Sequence, residues 1–167
     1  MLTLKEAVND FLSQKRIAIA GVSANRDING NRIYRKFRES GYSVFAINPN
    51  AKTVEGDPCY PDLKSIKEGV DGVFIITRPE ETEKIVAQCA QTRVSRVWMH
   101  RSFKFIGNSV SEAAVGYCRE NGIAVIPGAC PMMYLKPVDW KHLCLREAIR
   151  LFGRLPFPIP IEGRNDL

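Results

Sequence analysis

The sequence lacks the features that mark several common classes of protein. It has no apolar run near the roughly 18 residues of a membrane span. The first 14 residues have neither a basic start nor an uninterrupted apolar core, so we expect no signal peptide. Hydrophobic residues make up 45%, as in ordinary globular proteins. We therefore expect a cytoplasmic protein with no membrane partner.

Cysteine and histidine occur, but in no pattern that indicates a catalytic or metal site. The five cysteines are odd in number and none has CxxC spacing, so neither a disulfide framework nor a zinc ribbon is predicted. Cys89 and Cys118 fall on the apolar faces of predicted helices, and we interpret them as core residues. His100 and His142 belong to no metal motif or triad, and we interpret both as surface or capping residues. No catalytic residue and no metal are predicted.

The sequence does contain alternating strand and helix patterns. Helices are predicted at about 4–14, 30–40, 63–68, 80–91, 110–121 and 139–152, with capping boxes at Thr3 and Ser109. Short apolar runs predict strands at 16–20, 44–47, 59–60, 72–77, 96–99 and 124–126. This order predicts a three-layer α/β fold, Rossmann-like and doubly wound, with a mostly parallel sheet of five to six strands.

The length of 167 residues favours a single domain, which we assign to 1–154 with its motifs in 15–132. Residues 155–167 are expected to form a proline-rich tail lying on the domain, the alternative being a docking motif. The IEGR sequence at 161–164 matches an engineered protease-cleavage site, so 161–167 are set aside from the fold.

The loop after the first predicted strand is a candidate phosphate site, because open parallel sheets bind ligands beyond the carboxyl ends of their strands. Gly21 would let the backbone approach a ligand, and Ser23 offers a hydroxyl. The helix that starts near Asn31 would point its free amides there, and Arg26 and Arg32 could add charge. The alternative is that the glycines only shape a turn.

The usual dinucleotide fingerprint is absent from this loop, which reads GVS rather than GxGxxG. The second strand ends at Asn48 and Pro49, where an NAD site would place an acidic residue for the ribose. Lys52, just beyond, suits a phosphate on the ribose. These residues favour coenzyme A or NADP over NAD.

Two further strand ends supply candidate residues. Thr77 and Arg78 follow the strand at 72–77, and Pro79 starts the next helix, so Arg78 would project over the site unless it is a solvated loop residue. Cys130 follows the last strand and would line the pocket, the alternative being a buried structural thiol.

Segments spread over most of the chain carry a family resemblance. They read IAIAGVS, GYSVFAINPN, DPCYPDL, VDGVFIITRPEET, VSRVWMH and GIAVIPGACPM. In this order they resemble the small bacterial and archaeal CoA-binding proteins, which are similar to the CoA-binding N-terminal domain of the succinyl-CoA synthetase α subunit. The resemblance implies coenzyme A as the cofactor and a site that includes Gly21, Ser23, Asn48, Pro49, Arg78 and Cys130.

The chain departs from that family at two strand ends. It reads WMHRS at 98–102, where relatives often have WLQLG, and GAC at 128–130, where they often have DRC. The succinyl-CoA synthetase reaction also needs a phosphorylatable histidine in a second domain, so we expect no stand-alone ligase.

Three functions remain open on the sequence. The first is an accessory, non-catalytic module that binds CoA or acyl-CoA. The second is an interaction scaffold with a lapsed nucleotide pocket, and the third is an NADP-dependent oxidoreductase. The net charge of +6 suits a polyanion, but the cations form no basic stripe, so the expected partner is a small nucleotide cofactor and not nucleic acid. A homodimer and a partner enzyme both stay open.

Overall fold

A parallel sheet with helices on both faces forms the described part of the chain, residues 3–101 and 108–151 of a computed structural model. The helices are α1 (Leu4–Leu12), α2 (Asn29–Glu39), α3 (Pro79–Gln91), α4 (Glu112–Glu120) and α5 (Trp140–Leu151). The strands are β1 (Arg16–Ala20), β2 (Ser43–Ile47), β3 (Thr53–Val54), β4 (Asp57–Tyr60), β5 (Gly72–Ile75), β6 (Arg96–Met99) and β7 (Ala124–Pro127). None of these helices is long and apolar enough to cross a bilayer, within the part of the chain that is described.

The strand order is β3-β4-β2-β1-β5-β6-β7, and every pairing is parallel except that of β3 with β4. From β1 the chain moves outward to β2 and β4, and then returns to place β5 on the other side of β1. The order therefore reverses between β1 and β5. In open α/β sheets a crevice opens beyond the carboxyl ends of the strands at such a point.

The strands alternate their side chains between two apolar faces. Val73 lies on the face that α3 and α4 cover, and Phe74 lies on the opposite face beneath α1 and α2. On that second face the rings of Phe11 and Trp98 meet edge to face with centroids 5.4 Å apart. Asp10 of α1 pairs with Arg96 of β6 at 2.7 Å, which fixes α1 against the sheet.

Most of the predicted architecture is confirmed. The α/β class, the parallel sheet and the β1 boundaries agree with the sequence analysis, and α1 begins with the predicted capping box at Thr3. Cys89 and Cys118 are fully buried, as expected of core residues. The predicted proline-rich tail at 155–167 lies outside the described residues.

Three local predictions were wrong. The sheet has seven strands rather than five or six, because β3 pairs antiparallel with β4, the strand predicted at 59–60, and adds an edge. The helix expected at 63–68 is a single 3₁₀ turn, Leu63–Ser65. The α4 cap is Ser111, whose hydroxyl accepts from the Ala114 amide, whereas Ser109 donates its own amide to the carbonyl of His100 at 2.8 Å.

Candidate functional site

Two glycines bring the loop after β1 and the start of α2 into backbone contact. A Cβ on Gly30 would lie 2.0 Å from the carbonyl oxygen of Gly21. A Cβ on Gly21, which has a φ of +102°, would lie 2.2 Å from the carbonyl oxygen of Ile76. Only glycine fits at either position. These contacts hold the first turn of α2 directly over the crevice between β1 and β5.

Asn31 stabilises the same loop through hydrogen bonds from a buried position. Its side chain is 3% exposed, accepts from the Ser23 amide at 3.0 Å, and donates to the Ser23 carbonyl at 2.8 Å. The Ser23 hydroxyl in turn accepts from the amides of Asn25 and Arg26 at 3.3 and 3.2 Å. The Asn31 side chain is therefore occupied by the protein, while the Ser23 hydroxyl keeps its proton to donate.

Further polar contacts connect Asn31 to the turn between β3 and β4. Asn31 also donates to a carboxylate oxygen of Glu55 at 2.7 Å, and this hydrogen bond lowers the pKa of the Glu55 carboxyl. Glu55 sits in the β3–β4 turn with a φ of 54° and pairs with Arg35 of α2 at 2.8 Å. Arg35 also reaches Asp27 at 3.0 Å. Glu55 was missed at the sequence level, because its partners lie 20 or more residues away.

The end of β2 is tied to the same loop. Asn48 donates from its side-chain amide to the carbonyl of Val22 at 2.8 Å and accepts from the Asn50 amide at 2.9 Å. Pro49 and Lys52 follow and are exposed. The predicted residues Gly21, Ser23, Asn31 and Asn48 are thus brought together in one structural unit.

The helices on either side of the crevice begin without a side-chain cap. Ile28 at the start of α2 and Arg78 at the start of α3 make no capping hydrogen bond. By contrast, Thr3 caps α1, Ser111 caps α4, and Asp139 accepts from the His142 amide at the start of α5. At α2 the uncapped N-terminus leaves backbone amides and the positive end of the helix dipole free for an anion. The start of α3 is less favourable, because Pro79 has no N–H and Glu80 and Glu81 occupy the first turn.

Exposed cations lie near the carboxyl ends of three strands. Arg26, Lys52 and Arg78 follow β1, β2 and β5, are all exposed, and make no ion pair within residues 3–101 and 108–151. Thr77 is half-buried, and its hydroxyl lies 3.1 Å from that of Thr82. The loops after β1 and β2 therefore carry positive charge near the free amides of α2, whereas Arg78 is followed by Glu80 and Glu81.

The His100 side chain is buried, contrary to the prediction from the sequence. We predicted a surface or capping residue, but the side chain is only 3% exposed, so that prediction was wrong. The ring lies beyond the end of β6, with its centroid 6.1 Å from that of Phe74. Nδ1 is buried and has no hydrogen-bond partner among the described residues. Burial lowers the pKa of His100 to about 4, so the ring is neutral at pH 7.

Cys130 lies farther along the same edge, in the segment that follows β7. It precedes the 3₁₀ turn Pro131–Met133, and burial raises the pKa of its thiol. The preceding residues serve the core, since the indole nitrogen of Trp98 donates to the carbonyls of Gly128 and Ala129 at 2.8 and 3.3 Å. Two strands, β6 and β7, separate Cys130 from the crevice, and its protonated thiol is a weak nucleophile.

His142 is partly exposed and near the start of α5, as predicted. Its Nδ1 lies beside a carboxylate oxygen of Asp139 at 2.5 Å, and its amide donates to the other oxygen at 3.1 Å. No group of three His, Cys, Asp or Glu suited to a metal occurs in the described ranges.

Two curated proteins and two solved structures show what this chain is similar to. An ADP-forming acetate–CoA ligase of Archaeoglobus fulgidus is 32% identical over 80 residues, which are 48% of this chain and 12% of the ligase. The chain thus spans only about an eighth of that relative. The uncharacterized protein YneT of Bacillus subtilis is 24% identical over 127 residues, 75% of this chain and 90% of YneT.

The structural comparisons agree. A hypothetical protein of Pyrococcus horikoshii superposes with a TM-score of 0.70 at 24% identity, covering 91% of this chain and 94% of the other. The apo dinucleotide-forming acetyl-coenzyme A synthetase 1 of Ca. Korarchaeum cryptofilum gives 0.57 at 26% identity, covering 66% of this chain and 25% of the synthetase. The sequence model of the CoA binding domain matches residues 15–136. With the fold and most of its length accounted for, the chain belongs to the CoA binding domain family.

Proposed function

We propose that this chain binds coenzyme A or an acyl-CoA, as an accessory and non-catalytic module, in the crevice between the loops that follow β1 and β5. The observation that carries the proposal is the uncapped start of α2, which packs closely against the loop after β1 at Gly21 and Gly30. Free helix N-termini are favourable sites for phosphate groups. The family match supports CoA as the phosphate-bearing ligand.

The cations at this edge suit the phosphates of CoA. Arg26 and Arg78 follow the two strands that flank the crevice, where a pyrophosphate would approach the helix amides. Lys52 follows β2, the strand whose end approaches the ribose in folds of this type. An exposed lysine there suits the 3′-phosphate of the CoA ribose, which dephospho-CoA and NAD lack.

A non-catalytic role is supported by the histidine and the cysteine that follow β6 and β7. Burial lowers the pKa of His100 to about 4, which makes the ring a weak base, and burial keeps the Cys130 thiol protonated at pH 7, so it is a weak nucleophile. Chemistry would then come from a partner enzyme. As parts of the same proposal, the chain acts in the cytoplasm, alone or as a homodimer, beside such an enzyme.

Titration calorimetry at fixed salt with CoA, dephospho-CoA, NAD and NADP tests the ligand. We expect CoA to bind most tightly and dephospho-CoA about tenfold more weakly, because one charge-assisted contact is lost. Absence of both heat and a thermal shift with all four ligands would remove the proposal and favour a scaffold. Preference for NADP over CoA would favour the oxidoreductase alternative.

The cation assignments have their own test. Arg78→Ala and Lys52→Ala are each expected to weaken CoA binding about five- to tenfold, because each removes one charge-assisted contact to a phosphate. Arg119→Ala is the matched control, since it removes the same charge from the last turn of α4, at the opposite edge of the sheet. Equal affinities for Arg78→Ala, Lys52→Ala and Arg119→Ala would show that the charges act only at long range.

A further inference from the structure

The carboxylate of Glu55, in the turn between β3 and β4, contacts two side chains of α2. Its Oε1 accepts from the side-chain amide of Asn31 at 2.7 Å and from the guanidinium of Arg35 at 2.8 Å. Asn31 and Arg35 are four residues apart, so they lie on one face of the helix, one turn from each other. A single carboxylate oxygen therefore spans the first two turns of α2, the helix whose uncapped N-terminus packs against the loop after β1.

Each of these two side chains also contacts the loop that precedes α2. Asn31 accepts from the Ser23 amide at 3.0 Å and donates to the Ser23 carbonyl at 2.8 Å. Arg35 donates to a carboxylate oxygen of Asp27 at 3.0 Å. Ser23 and Asp27 enclose the part of the loop that carries its candidate phosphate-binding arginine. Glu55 is thus connected, through two side chains, to both sides of that part of the loop.

The place of Glu55 in the turn is unfavourable for a glutamate. Val54 pairs with Asp57, so Glu55 and Gly56 form a two-residue hairpin turn, and their φ angles are 54° and 83°. A turn with positive φ at both central residues favours asparagine, aspartate or glycine at the first of them. Glutamate takes up this conformation at a cost, and its side chain is only 18% exposed. The contacts of that side chain with α2 therefore offset the cost of the turn.

We propose that Glu55 is a positioning residue, whose carboxylate holds the loop after β1, through Asn31 and Arg35, in the conformation that binds the phosphates of the ligand. This inference rests on the proposed function and deepens it, because it names the group that orders the site before the ligand arrives. In this role Glu55 makes no contact with the ligand. A loop that is ordered in advance loses less conformational entropy on binding, so the ligand is bound more tightly.

The negative charge of Glu55 gives the expected effect a distinctive direction. The carboxyl is ionised at pH 7, because the hydrogen bond from Asn31 lowers its pKa. By charge alone, a carboxylate near an anion site weakens binding, so its removal would strengthen binding. Loss of the positioning contacts has the opposite effect and weakens binding. The direction of the change in CoA affinity therefore distinguishes the two roles.

Two substitutions separate the contacts of the side chain from the conformation of the turn. Glu55→Asn suits the turn but is one methylene shorter, and we expect it to bind CoA about five- to tenfold more weakly in titration calorimetry. Glu55→Gln keeps the length and the Oε1 acceptor, and should bind CoA within about threefold of wild type. Asp57→Asn is the matched control, since it removes the same charge from the same hairpin. Asp57 contacts Tyr34 and Arg38 of α2 rather than the side chains that reach the loop, so CoA affinity should change by less than about twofold.

Amide hydrogen exchange in the ligand-free protein tests the same role without CoA. The Ser23 amide should exchange about tenfold faster in Glu55→Asn than in wild type, because the acceptor on Asn31 is no longer held in place. In Glu55→Gln and in Asp57→Asn its exchange rate should stay within about twofold of wild type.

The outcomes separate the role of Glu55 from the proposed function. Unchanged or tighter CoA binding by Glu55→Asn, or an unchanged Ser23 exchange rate in that variant, overturns the role of Glu55 alone. Equal losses of CoA affinity in Glu55→Asn and Glu55→Gln also overturn it, because the second variant keeps the acceptor. Equal losses in Glu55→Asn and Asp57→Asn do the same, because the hairpin as a whole would then be responsible. Failure of wild type to bind CoA overturns the proposed function, and the role of Glu55 in ligand binding with it.

Discussion

Gly30→Ala is expected to lower the free energy of unfolding by about 2–4 kcal/mol, because its new Cβ would lie 2.0 Å from the Gly21 carbonyl oxygen. The neighbour is backbone and cannot rotate away, so α2 or the loop must shift. Either shift also moves the uncapped amides of α2, so CoA affinity should fall as well. Urea unfolding followed by circular dichroism measures the first effect, and calorimetry the second.

The chain supplies a matched control for this substitution. Gly116 is also a helical glycine, but a Cβ there would meet nothing within 4 Å. Gly116→Ala should therefore stabilise the protein by about 0.5–1 kcal/mol, the intrinsic preference of a helix for alanine. If Gly30→Ala lowers the free energy of unfolding and Gly116→Ala raises it, the loss at Gly30 comes from its contact with Gly21 and not from the added methyl group itself. Stabilisation by both would show that α2 does not sit against Gly21.

Mild acid is expected to destabilise the protein through His100. Its folded-state pKa of about 4 lies below the ordinary value of 6.5, so the unfolded chain binds more protons between these values. Stability is therefore full above pH 6.5 and falls as the pH drops toward 4. A shift of this size corresponds to about 3 kcal/mol over the whole window. Urea midpoints at several pH values between 7 and 4.5 give the slope.

His100→Leu provides the reference for the acid experiment, since it has no titrating ring. The free energy of unfolding of wild type minus that of His100→Leu should decline with falling pH. A constant difference would mean that the ring is not buried in solution. The carboxyls of Glu55, Asp62 and Asp139 also have lowered pKa values, caused mainly by hydrogen bonds from Asn31, Ser65 and His142. When ionised, these carboxyls stabilise the fold at pH values above their unfolded pKa values. Their stabilising contribution is therefore lost only below about pH 4.5.

The fold could be predicted largely because a buried parallel strand leaves a short apolar run. The run Arg16–Ala20 coincides with β1, and the cap at Thr3 marks the start of α1. Strand β3 escaped prediction, because Thr53–Val54 is too short to show any alternation, whereas β4 was predicted in part at 59–60. Local patterns therefore identified the central elements better than the edge of the sheet.

The site could be predicted only as a set of loops. Placing Gly21, Ser23 and Asn48 at one edge required just the rule for parallel sheets. One partner of Asn31, the Glu55 carboxylate, lies in a turn 24 residues away, which no local pattern shows. The burial of His100 was also hidden, because a polar residue after a strand is usually exposed. One available clue was that it follows Trp98 by two residues and so shares its face.

The contact between Gly21 and Gly30 has a consequence for protein engineering. It fixes both ends of the loop through the backbone, independently of the side chains between them. Residues 24–27 are exposed, and residue 28 is partly so. Apart from Asp27, which pairs with Arg35, this stretch can therefore be replaced in length and sequence to alter the proposed anion preference while the sheet beneath stays intact.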